Sequence, residues 1–100
     1  MHKLLVLYPP PDDPAAFAEY YEKHHLPLVQ KLPGLLGWRY SLQVHAEPES
    51  PYFAVFEAEF ADAAAYAAAM ATPQGEAVRR DVPNYATGGA IVLDYPVAQS

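Results

Sequence analysis

Two adjacent histidines, His24 and His25, sit in a stretch that reads as helical, and imidazole is the side chain whose ordinary pKa lies nearest neutrality. Neighbouring residues on a helix point about 100° apart, so the pair cannot chelate one ion between them. The positions four residues away, where a helical metal site places its second ligand, hold Tyr20, Tyr21, Leu28 and Val29. No metal site is expected. Each histidine then has two readings: a core imidazole satisfied by a backbone carbonyl, or a neutral imidazole serving as acid or base in an aromatic pocket.

Other chemistries find less support. The chain has no cysteine, which removes disulfides, thiolate zinc sites, iron–sulfur clusters and thiol nucleophiles together. Ser41 and Ser50 have no histidine and acid at motif spacing. Gly88-Gly89 precedes a strand instead of a helix, so it reads as a bulge or a close backbone contact and not as a phosphate loop. Glu57 and Glu59 share one face of a strand and read as solvated. Tyrosine outnumbers phenylalanine eight to four. Buried phenols need hydrogen-bond partners, so this excess points to a partly polar cavity with apolar walls.

The elements that position these groups follow from pattern and punctuation. Leu4 to Tyr8 is an apolar run stopped by Pro9, Pro10 and Pro11, and reads as a first strand. Asp13-Pro14 supplies an N-cap and a proline at the first helical position. Phe17, Tyr20, Tyr21, Leu28 and Leu32 form the apolar stripe of the helix that follows. Pro27 predicts a kink or break, with a second helical piece to about Lys31. Leu35 to Val44 and Tyr52 to Phe60 alternate as the two arms of a hairpin. Asp62 caps an alanine-rich helix through Met70, Thr72-Pro73 starts another segment ending near Pro83, Ile91 to Tyr95 is the last strand, and residues beyond Val97 read as a frayed tail.

The order βαββαβ over residues 1–100 is the ferredoxin-like α+β plan in one domain: a four-stranded antiparallel sheet with two helices on one face. Trp38, Tyr40, Tyr52, Phe56 and Phe60 bring more apolar surface than one helical layer covers, which predicts a homodimer packed sheet to sheet through that aromatic face. A formal charge of −6 argues against nucleic acid and anionic lipid as partners. No apolar run approaches the roughly 20 residues of a membrane span, and the N-terminal run lacks the length of a secretory signal, so a cytoplasmic protein is expected.

Several spaced motifs then resemble one family. Tyr8-Pro9, the run from Asp13-Pro14 to Tyr20-Tyr21, His25-Leu26-Pro27-Leu28-Val29, Lys31-Leu32-Pro33-Gly34-Leu35, Thr72-Pro73-Gln74-Gly75 and Asp81-Val82-Pro83-Asn84-Tyr85-Ala86-Thr87-Gly88-Gly89 resemble the EthD family of the dimeric α+β barrel superfamily. The resemblance spans roughly residues 5–93. It implies a homodimer whose two sheets face each other, with a pocket between sheet and helices in each subunit. It singles out the histidine of the His-x-Pro-Leu pattern, here His25, as the candidate acid or base. It also links the chain with ether degradation, where members accompany an oxygenase system, and with barrels that include polyketide cyclases, cofactor-free monooxygenases and haem-degrading enzymes. The expectation is a pocket for a small apolar or aromatic compound, walled by Tyr8, Tyr21, Trp38, Tyr40 and Asn84, without a cofactor. Two other readings stay open: a non-catalytic binding or partner module of an oxygenase system, and haem ligated by His25.

On a wheel of 100° per residue, the stripe through Phe17, Tyr21 and Leu28 places His24 about 40° to one side and His25 about 60° to the other. Pro27 deprives the Lys23 carbonyl of its donor and loosens this turn. The expected outcome is His25 partly buried beside the sheet, within reach of a tyrosine hydroxyl or water, and His24 more exposed.

Overall fold

The computed structural model describes residues 1–98, so the end of the expected frayed tail, Gln99 and Ser100, lies outside the described residues. Four strands, β1 (His2–Tyr8), β2 (Gly37–Ser41), β3 (Ala54–Phe60) and β4 (Ile91–Pro96), form one antiparallel sheet in the order β2-β3-β1-β4. The hairpin arms are shorter than the alternation suggested. Leu35 and Leu36 precede β2, Leu42 to Val44 follow it, and Tyr52 precedes β3.

Helices α1 (Pro14–Tyr20), α2 (Leu26–Val29), α3 (Ala63–Met70) and α4 (Pro73–Asp81) start where side-chain caps permit. Asp13 accepts from the Ala16 N–H at 3.0 Å, Asp62 from Ala65 at 2.7 Å and Thr72 from Gly75 at 3.1 Å. Pro14 and Pro73 take early positions where a missing N–H costs nothing. A Cβ on Gly75 would meet the Ala69 carbonyl at 2.5 Å, so glycine sets how closely α3 approaches α4. Gly88 does the same against the Pro10 carbonyl, also at 2.5 Å, which matches the close backbone contact expected there.

Pro27 does not break the first helical run. A π-turn over Tyr21–His25 joins α1 to α2, and the Leu26 N–H reaches back five residues to the Tyr21 carbonyl. The physical cause is the proline ring, which crowds the carbonyl of Lys23 and offers it no donor. Widening the turn relieves both at once.

The helices cover one face of the sheet. Leu4, Val6, Tyr8, Ala54, Phe56, Ala58 and Phe60 point into that layer and are buried with Phe17, Tyr21, Leu26, Val29 and Leu32. This corrects the expected position of the aromatic face. Trp38 stacks on Phe56 at 6.3 Å and on Tyr40 at 6.1 Å, so Trp38, Tyr40, Phe56 and Phe60 belong to the helix side, while Tyr52 lies outside the strands. Alternation sorts residues into two faces, but it does not say which one the helices cover. The open face carries Leu5, Leu7, Val55, Ile91, Leu93 and Tyr95, together with Lys3, whose Nζ donates to Glu57 at 3.0 Å.

Candidate functional site

Three segments converge on one buried carboxylate. Tyr20 ends α1, His25 ends the π-turn, and Asp81 is the last residue of α4, just before the 3₁₀ turn Val82–Asn84. The His25 Nδ1 lies 2.9 Å from Asp81 Oδ2. Tyr20 donates its hydroxyl to Oδ1 at 2.5 Å, and Asn84 donates Nδ2 to the same oxygen at 3.1 Å. A carboxylate at a helix C-terminus faces the negative end of the macrodipole, so the local fold alone does not favour Asp81 there. Its three donors compensate.

The π-turn brings His25 into this cluster. In a wider turn each residue advances by less than the α-helical angle, so residues four apart stay nearly eclipsed. Phe17, Tyr21 and His25 accordingly form one ladder, with ring centroids 5.4 Å and 5.3 Å apart. His25 is 3% exposed, more deeply buried than the wheel suggested. Its hydrogen-bond partner is a carboxylate where a tyrosine hydroxyl or water was expected. His24 is exposed and lies against the Tyr20 ring at 4.9 Å.

The electrostatics give each member a defined protonation state. Burial lowers His25 below its ordinary value, and the Asp81 contact recovers only part of that shift. Burial works to raise Asp81, but hydrogen bonds from Tyr20, Asn84 and His25 outweigh it and hold the carboxyl below the usual range. At neutral pH the pair is therefore an ionised carboxylate and a neutral imidazole. An ionised carboxylate only accepts, so Nδ1 carries the proton and Nε2 keeps its lone pair.

His25 also forms part of the wall of a cavity of about 250 Å³ between sheet and helices. Leu4, Val6 and Phe56 line it from the sheet; Val29, Val78 and Val82 line it from the helical layer. Of the five expected wall residues, Tyr8 is in this wall and bonds through its hydroxyl to Tyr85 Oη at 2.8 Å. Tyr21 is packed behind, against Tyr8 and His25, with its buried hydroxyl lacking a hydrogen-bond partner. Asn84 reaches the site through Asp81. Trp38 and Tyr40 are not brought to it: Trp38 borders an open groove with Leu32 and Leu35 beside β2, and Tyr40 donates to Glu22 Oε2 at 2.6 Å. Burial pushes Tyr8, Tyr21 and Tyr85 upward, so all three are neutral hydroxyls at physiological pH. Among the described residues no cluster of three metal-ligating side chains occurs, and no helix is long and apolar enough to cross a membrane.

The EthD domain matches residues 9–89 of this sequence. The chain belongs to the EthD family. An uncharacterized 11.0 kDa protein from the thcB-thcC intergenic region of Rhodococcus erythropolis is 35% identical over 95 residues, covering 93% of this chain and 91% of that one. The crystal structure of an ethyl tert-butyl ether d (ethd) family protein from Bacillus halodurans superposes with a TM-score of 0.90 at 30% identity, covering 98% of this chain and 99% of the other. More distant likenesses show the ferredoxin-like fold alone. One is a dimeric protein of unknown function from Bacteroides fragilis, with TM-score 0.70, 15% identity and coverage of 96% and 95%. Another is SnoaB, a cofactor-independent oxygenase from Streptomyces nogalater, with TM-score 0.66, 14% identity and coverage of 99% and 94%. The fold of this EthD chain is thus ferredoxin-like.

Sequence reasoning missed Asp81 and Tyr20 as partners of His25. The signal for Asp81 was present as a carboxylate closing a helix just ahead of Pro83, where the dipole disfavours it.

Proposed function

We propose that this EthD-family chain binds a small, mostly apolar or aromatic organic molecule in the cavity beside His25 and moves a proton on it, within the oxidative breakdown of such compounds. The observation that carries this reading is a neutral imidazole, oriented by a buried carboxylate, in the wall of a mostly apolar cavity. The Nε2 lone pair accepts a proton from an acidic O–H or C–H of the bound molecule. The resulting imidazolium is stabilised by Asp81, and the proton returns from Nε2 to the product. General acid–base help of this kind contributes about 10²–10⁴ in rate. Typical ligand pockets span roughly 300–1,000 Å³, so a cavity of about 250 Å³ favours a compound of one or two rings. A haem is larger than the cavity and has no part in this reading.

The working unit in this proposal is a homodimer in the cytoplasm. Ile91, Leu93 and Tyr95 are 40%, 44% and 38% exposed on the open face of β4, and they continue the apolar surface of Leu5 and Leu7. Such a strip is more apolar than a monomer usually presents to water. The dimeric fold relative supports the same assembly. Light scattering that gives the mass of a single chain at micromolar concentration would count against it.

The functional test begins with a screen of one- and two-ring compounds by ligand-observed NMR, followed by turnover assays of the hits. His25→Ala is expected to lower turnover by at least two orders of magnitude while the protein stays folded. Unchanged binding and turnover in that variant would remove the acid–base role and leave a non-catalytic binding or oxygenase-partner module as the better reading.

A further inference from the structure

One wall residue of the cavity is out of keeping with its apolar surroundings. Arg79 is exposed on α4, and its Nη1 donates to the Met70 carbonyl at 2.6 Å; Met70 is itself a wall residue. That bond fixes the side chain and uses one of five guanidinium donors. The next residue, Arg80, is also exposed but differs in pairing with Glu76 one turn earlier. Among the described residues no carboxylate lies within ion-pairing distance of Arg79. Asp94 lies near enough to Tyr66 to act on its hydroxyl, and its Oδ2 is engaged by His2 Nε2 at 2.7 Å. Tyr66, also in the wall, is pushed up by burial and by Asp94 and pulled down by Arg79, which places the guanidinium charge near its hydroxyl.

The two ends of the cavity therefore differ in character. His25 is deeply buried, neutral and basic at Nε2. Tyr66, beside Arg79, packs on His2 at the start of β1 with ring centroids 5.6 Å apart, whereas His25 packs on Tyr85, the partner of Tyr8 at the end of that strand; the exposed Arg79 marks the end nearer solvent. An amphipathic molecule satisfies both ends with little desolvation cost. Its apolar body replaces water in the interior, and its charged group stays near solvent beside a cation that lacks a carboxylate.

We infer that the ligand is an apolar or aromatic compound carrying one anionic oxygen group, such as a carboxylate or phenolate, held by Arg79 with its hydrocarbon part directed toward His25. This rests on the cavity reading proposed above and adds a substrate class to it. A guanidinium holds a carboxylate through two parallel N–H donors, a geometry that a neutral carbonyl does not match.

Calorimetric titration of the full chain at pH 7.5 with 2-naphthoate and with its neutral analogue 2-acetonaphthone tests the inference. The expected result is about tenfold or greater preference for 2-naphthoate. Arg79→Gln abolishes that preference, bringing 2-naphthoate to the affinity of 2-acetonaphthone in the same variant. Arg79→Lys keeps the charge but loses the planar fork, so it retains part of the preference and serves if the glutamine variant does not fold. Equal binding of the two probes to the wild type would overturn the anionic class while leaving the cavity reading intact. A preference that survives Arg79→Gln would overturn the assignment to Arg79. Binding of neither probe would overturn both the inference and the cavity reading beneath it.

Discussion

The chain holds two buried histidines, each against an aspartate, and their surroundings separate them. His2 and Asp94 meet at 2.7 Å across β1 and β4, yet the Asp94 side chain is 45% exposed and His2 lies outside the cavity wall. His25 and Asp81 meet at 2.9 Å with an Asp81 side chain only 10% exposed, and that carboxylate also accepts from Tyr20 and Asn84. A short histidine–carboxylate contact is thus no signature of chemistry by itself. What distinguishes the His25 pair is a carboxylate withdrawn from solvent and locked by several donors, and an adjoining cavity for a reactant.

The largest effect that tests this contrast is on stability. Asp81→Ala leaves the buried His25 Nδ1 and the half-buried Tyr20 hydroxyl without their acceptor, while the exposed Asn84 amide turns to water, and is expected to cost about 3 kcal/mol, since an orphaned buried donor costs about 1–3 kcal/mol. Asp94→Ala also frees a buried imidazole nitrogen, but its half-exposed place admits water, so the expected cost is smaller, about 1 kcal/mol. Urea denaturation of the two variants makes the comparison, and similar losses would erase it.

Acid dependence gives the next effect. Because burial lowers His25 in the folded state, the unfolded chain takes up its proton first as pH falls below the ordinary histidine value of 6.5. Stability is therefore constant with respect to this group above about pH 7 and declines between 6.5 and the lower folded value, by up to about 1.4 kcal/mol per pH unit. Asp81, also lowered, adds a loss of the same sign at more acidic pH. Denaturation midpoints measured from pH 7.5 to 5 should show this decline in the wild type, and a weaker one in His25→Ala.

Smaller effects separate the phenols. Tyr85→Phe leaves the buried Tyr8 hydroxyl without its partner and is expected to cost about 1 kcal/mol. Tyr21→Phe removes a buried hydroxyl that has no partner, so it is expected to be neutral or to stabilise by a few tenths of a kcal/mol. Thermal melts of both variants check the order.

Much of the scaffold was readable from local chemistry. Asp13, Asp62 and Thr72 announce helix starts because their side-chain oxygens satisfy free N–H groups, and they cap in the structure as expected. The apolar run of β1 and the alternation of β3 gave the sheet, and the βαββαβ order gave its topology. The side of the sheet taken by Trp38 and Tyr40 was not readable, because period-two alternation is symmetric between faces. The burial of His25 escaped the wheel because Pro27 opens a π-turn, which changes the angle per residue at the position in question. Its partner Asp81 lies 56 residues away, a separation that only tertiary packing closes.

The central claim is that His25 is a neutral imidazole with its proton on Nδ1 and its lone pair on Nε2, facing the bound molecule. Nitrogen-15 NMR of histidine-labelled protein across pH 5 to 8 measures this directly. The account predicts a protonated Nδ1 and an unprotonated Nε2 at pH 7, with His25 titrating below the ordinary value of 6.5. A proton on Nε2 at pH 7, or titration at or above 6.5, would contradict it.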